Sequence, residues 1–193
     1  MTRRIPVIPS IIVAGAIVTM IALGFWQLDR KGQKEAMLAR YEQAGAMSSL
    51  AIYPGPGEDI EPVLYRMTRI DCANPTKATS VAGRGLNGAN GVAQRVECAL
   101  ATGRKVTVDI GFSRDPTPVA WDGGEVQGVI APGGRVVATV PLAGLAPLAP
   151  PDPADVPNNH LAYAGQWFFF AVTALVIYIL ALRRRNQSGG REA

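Results

Sequence analysis

Two stretches of this chain are too long and too apolar to be left in water: the 20 residues from Val7 to Trp26 and the 22 from Leu161 to Leu182 contain no charged side chain. At about 1.5 Å rise per residue, each forms a helix of roughly 30 Å, the thickness of a bilayer's hydrocarbon layer. The reading is two transmembrane α-helices, one near each end, with the lipid bilayer as the first partner. A cleavable signal peptide is the rival for the first stretch, because Arg3 and Arg4 precede it. Gly24-Phe25-Trp26-Gln27-Leu28 offers no small-x-small cleavage site, so an uncleaved anchor is favoured. Ile5-Pro6-Val7 after the two arginines gives twin-arginine export little support.

Orientation follows from the cations that flank the spans. Arg183, Arg184, Arg185 and Arg191 follow the second span, while no Lys or Arg occurs from Val136 to Leu161. That places the C-terminus in the cytoplasm. Arg3 and Arg4 are opposed by Arg30, Lys31 and Lys34, so the first span alone is ambiguous. Two spans put both termini on one side, so the second span settles both. A pI of 9.3 invites a nucleic-acid reading, but residues 31–160 hold 12 Lys/Arg against 13 Asp/Glu. The basic excess belongs to the membrane flanks, and no nucleic-acid partner is expected.

The intervening segment divides by pattern. Residues 7–28 form the first span, and 29–44 extend its helix, with Met37, Leu38 and Tyr41 on one face. Gly45 and Pro54-Gly55-Pro56-Gly57 end the helix. Residues 45–146 read as one strand-rich domain, with strands expected at 63–73, 79–82, 91–101, 105–112, 125–131 and 136–142. The expected class is a membrane protein whose two helices flank a mainly-β (α+β) domain, its sheet antiparallel or a small open barrel. Residues 147–160 are a proline-rich tether, 161–182 the second span and 183–193 a basic tail. Cys72 and Cys98 lie outside the cytoplasm in this topology, where a disulfide is permitted; two separate buried thiols are the alternative. Their spacing fits neither a CxxC redox motif nor a metal site.

Catalytic chemistry finds little footing. Gly83-x-Gly85-x-x-Gly88 matches a dinucleotide fingerprint, but a strand follows it where a phosphate-binding helix should begin, so the glycines suit a hairpin. The one histidine, His160, stands beside the membrane, which removes Ser-His and Cys-His triads from the domain. Glu58, Asp59 and Glu61 lie in a Gly/Pro-rich loop and read as a solvated face. His160 follows Asn158 and Asn159, either of which suits a helix N-cap, and neutral imidazole is a good axial ligand for haem iron. Because two spans run antiparallel, Trp26 shares its depth with Trp167. Together with Phe168, Phe169 and Phe170 these rings form an interfacial aromatic belt or the walls of a site for a flat apolar cofactor.

The same residues carry a resemblance. Leu23-Gly24-Phe25-Trp26-Gln27-Leu28-Asp29-Arg30 followed by Lys34 resembles the first-helix signature of the surfeit-locus family of cytochrome oxidase assembly proteins. Pro157-Asn158-Asn159-His160-Leu161-x-Tyr163-Ala164-x-x-Trp167-Phe168 is similar to the second. In the middle, Val108-Asp109-Ile110-Gly111-Phe112-Ser113-Arg114 stands where the family tends to read V-N-R-G-W-V-P, and Gln33 replaces a customary tryptophan.

The resemblance implies a non-enzymatic factor for assembling a haem-copper oxidase, with haem a as its cofactor. His160 would be the iron ligand, Trp26, Trp167 and Phe168 would pack on the porphyrin, and Gln27 or Asn159 would bond a polar substituent. The domain would dock the oxidase catalytic subunit or haem a synthase. The short N-terminus carries no Arg-rich amphipathic presequence, so the expected location is the bacterial inner membrane, with residues from about 29 to 160 in the periplasm. Two other classes stay open: a cofactor-free chaperone for oxidase subunits, and an envelope ligand sensor, which the short basic tail disfavours.

Overall fold

The computed structural model describes residues 6–188; Arg3, Arg4 and Arg191 lie outside the described residues. Helix α1 runs from Val7 to Gly45 and helix α2 from His160 to Ser188. Both contain a window long and apolar enough to cross a membrane, and only 6 % of each window is buried. A core helix of a soluble protein would be covered. The bare surface of Val7, Ile11, Val18, Phe169, Val172 and Ile177 is matched by lipid. α1 does continue past the apolar stretch and ends at Gly45, with Met37 and Leu38 half-buried and Tyr41 buried on one face.

The chain forms two compact units: the helix pair, and the residues from Leu38 to Val156. The second holds six strands: β1 Met67–Cys72, β2 Thr79–Arg84, β3 Asn90–Ala99, β4 Lys105–Ser113, β5 Gly124–Ile130 and β6 Val136–Ala138. Each falls within or close to an expected run. They make one sheet in the order β1-β5-β6-β4-β3-β2. The sheet is mixed rather than purely antiparallel, because β6 lies parallel to β4 while antiparallel to β5. The β5–β6 connection reverses over Pro132–Gly134, where Gly133 and Gly134 take φ of 81° and 78°. That turn lays the three-residue β6 beside the central strand.

β4 is buried on both faces: Val106, Val108 and Ile110 on one, Asp109 on the other. β1 and β3 are separated by three strands, yet Cys72 and Cys98 form a disulfide with 5.2 Å between their Cα atoms, and Ala73 bridges Ala99. Strands so far apart meet only if the sheet curls towards closure, the open-barrel form of the expectation. Residues 147–149, at the start of the proline-rich tether, pair with the β2–β3 hairpin. Leu148 bridges Gly85, the Ala149 N–H donates to the Arg84 carbonyl, and the Leu86 N–H donates to the Pro147 carbonyl.

Candidate functional site

The head of α2 follows from local sequence. Asn159 occupies the N-cap position, its backbone carbonyl accepting from the Tyr163 N–H at 3.2 Å. Asn158 plays no such part. Its Oδ1 is buried without a hydrogen-bond partner, uncommon for a buried acceptor. Along α1, Ser10, Ile17, Gly24 and Lys31 recur every seven residues on the less exposed face; on α2 the buried Ala164 and Ala171 and the half-buried Tyr178 do the same. A seven-residue repeat with small residues is the pattern of membrane helices that cross at a shallow left-handed angle.

Polar contacts sit at the two ends of that face. The Ser10 and Tyr178 hydroxyls share a hydrogen bond. About 26 Å further along α1, at 1.5 Å per residue, Gln27 Oε1 lies 2.7 Å from His160 Nδ1. These two pairings fix the helices as antiparallel. Between them, Gly24 makes room for a ring: a Cβ there would fall 2.5 Å from Phe168 Cε1. Phe168 also meets Phe25 edge-on, with 5.4 Å between centroids.

The structure therefore brings Gln27 and His160 together and seats Phe168 within the helix pair. Trp167 packs edge-on against Phe170 at 6.3 Å. Trp26 is half exposed, with the Arg30 guanidinium 5.6 Å from its ring centroid, a cation–π arrangement that suits a membrane–water boundary. On α1 it is Phe25, not Trp26, that meets Phe168. Sequence reasoning quoted Phe25 and Gly24 only as part of a motif. Their signal was the i, i+7 spacing of small residues, which places Gly24 on the inward face.

The strand-rich unit offers structural rather than reactive chemistry. Asp109 accepts two hydrogen bonds from Arg95, at 2.6 and 3.0 Å, and pairs with Arg135 at 3.2 Å. Asp109's hydrogen bond holds the Arg95 guanidinium even more firmly charged than usual. A buried carboxylate between two guanidiniums is compensated and orients strands β3, β4 and the start of β6. The Gly83–Gly88 run is the β2–β3 hairpin, closed by the Gly85 N–H donating to the Ala89 carbonyl. No helix follows, so the phosphate-binding geometry is absent there. A cavity of about 650 Å³ lies among Leu86, Phe112, Arg114 and Leu145. Among the described residues, no three His, Cys, Asp or Glu side chains group to hold a metal ion.

Two apolar helices enclosing a strand-rich segment in sequence, with a histidine opening the second, match a known pattern. The SURF1 family model aligns with residues 14–172. The chain belongs to the SURF1 family. The alignment includes Gln27, the six strands and His160. No curated protein matches the chain in direct sequence comparison. SURF1 membership implies a role in cytochrome oxidase assembly, and the family is one of assembly factors rather than of known catalysts.

Proposed function

We propose that this SURF1-family chain holds haem a at the outer face of the bacterial inner membrane and helps to load it into the catalytic subunit of a haem-copper oxidase. The observation that carries this reading is His160, the chain's one histidine, fastened to α1 through Nδ1 at the head of an apolar helix pair. A lone imidazole is enough for a metal only when the metal brings its other ligands, as iron in a porphyrin does. The rest of the donor set fits. Trp167 and Trp26 offer flat apolar surface, and the Asn158 Oδ1, buried without a hydrogen-bond partner, would accept from a hydroxyl of the kind haem a carries.

Haem a would be cargo here, and its iron would take a ligand from the chain. The chain's own residues hold and orient it. His160 would supply a ligand nitrogen to the iron, while Phe168, packed in the Gly24 notch, keeps the two helices in register. The arginines that follow the apolar stretch of α2, Arg183, Arg184 and Arg185, support cytoplasmic termini, and the Cys72–Cys98 disulfide supports an oxidising compartment for the domain. The domain would then meet the oxidase subunit, or haem a synthase, on the periplasmic side.

The test is made in cells from which the gene has been removed. Restoring the wild-type chain should return full haem a content to the isolated oxidase catalytic subunit, and His160→Ala should leave it substoichiometric although the variant accumulates normally. Full restoration by His160→Ala would overturn the carrier reading in favour of a cofactor-free scaffold for oxidase subunits.

A further inference from the structure

A neutral histidine carries its proton on one ring nitrogen, and the partner of the other nitrogen decides which. Gln27 and His160 are 133 residues apart in sequence, yet Gln27 Oε1 stands 2.7 Å from Nδ1. An amide oxygen only accepts, so Nδ1 is the donor in this pair and Nε2 is left with the lone pair. Neutral histidine in water prefers the opposite arrangement, with the proton on Nε2. The contact thus selects the less common tautomer, the one whose free nitrogen is at the far end of the ring.

The choice of an amide is itself informative. A carboxylate in this place would favour imidazolium and bring two charges into the end of an apolar helix pair, at a cost in desolvation. An aliphatic side chain would leave Nδ1 without a partner. Glutamine accepts one hydrogen bond and adds no charge. Gln27 lies on the same face of α1 as Gly24, one turn further along, so the helix that seats Phe168 also presents the amide.

We propose that Gln27 is the positioning residue of the site: it holds His160 as the Nδ1–H tautomer with its ring fixed, and so makes Nε2 the ligand atom. This replaces the expectation that Gln27 bonds a polar substituent of the cofactor. What Nε2 then binds rests on the haem-carrier reading; the tautomer does not. Partners that accept from the second nitrogen of a metal-bound histidine fix its orientation and raise its basicity, and losing one typically weakens binding about 10–100-fold.

Because the chain has a single histidine, full-length protein labelled with ¹⁵N-histidine in detergent gives one imidazole to read. In haem-free wild type, in alkaline buffer, long-range ¹H–¹⁵N correlations should show Nδ1 protonated and Nε2 pyridine-like. Gln27→Leu should move the proton to Nε2, and Gln27→Glu, which keeps an acceptor, should leave it on Nδ1. A wild-type ring protonated on Nε2 would overturn the proposal.

The second arm is a titration with haem a followed by absorbance. Gln27→Leu should bind about 10–100-fold more weakly than wild type, with Gln27→Glu recovering most of the loss. Equal affinity of wild type and Gln27→Leu would overturn the positioning role. Wild type with Nδ1 protonated that takes up no haem a would sink the carrier reading and leave Gln27 as the residue that sets the tautomer.

Discussion

Tyr41 shows how one side chain in the helical extension is tied into the domain. Its ring lies 4.8 Å from that of Tyr65, and its hydroxyl donates to Glu61. Burial first, then that hydrogen bond and the nearby Glu61 charge, push the phenol pKa up to about 12. Tyr65 is held in the left-handed region at φ 61°, unusual for a bulky residue, with its N–H donating to the Ile130 carbonyl at 2.7 Å. Because the folded-state pKa lies above the ordinary value near ~10, Tyr41 contributes stability that is complete below that pH and lost as pH rises towards 12. Thermal unfolding of the full chain should show Tm falling across this window, and Tyr41→Phe should make the fall shallower. It should not abolish it, since burial raises Tyr53 and Tyr65 as well. An unchanged slope in Tyr41→Phe would contradict the assignment.

At the scale of elements, the helix pair depends on a missing side chain. Gly24→Ala puts a methyl 2.5 Å from the Phe168 ring. Overpacking of this kind costs about 1–3 kcal/mol, and Phe168→Leu in the same chain should recover much of it, because the two residues are in contact. Detergent-titration unfolding of the two single variants and the double variant measures the coupling, and strict additivity would refute the contact. Much of this level was legible in the sequence. Uncharged length gave both helices, and alternation such as Val106-Thr107-Val108-Asp109-Ile110 gave the strands. The order of strands was not legible, because alternation says that a strand has two faces but not which strand lies beside it. The parallel β4–β6 pair depends on a turn at Gly133 and Gly134 and on a strand of three residues, too short for a period to be read. The proline-rich run reads as a stiff tether because its composition is that of a linker, and backbone pairing of residues 147–149 to Arg84, Gly85 and Leu86 secures its start.

At the scale of the molecule, the SURF1 alignment over residues 14–172 gives the role in oxidase assembly, and the helix pair sets His160 Nδ1 against Gln27 Oε1. His160 stands out in the sequence because it is the only imidazole, and the family resemblance implies its proposed role as a ligand. Its partner was not legible: Gln27 and His160 are joined only by the antiparallel packing of two helices from opposite ends of the chain. The disulfide was open for a similar reason, since Cys72 and Cys98 meet only once the sheet curls. The central claim is that this packing makes a haem a site, and the most direct measurement is an absorption spectrum of detergent-purified protein from cells that make haem a. Wild type should carry a stoichiometric haem a band that His160→Ala lacks. A colourless wild-type protein that still co-purifies with the oxidase catalytic subunit would contradict the account.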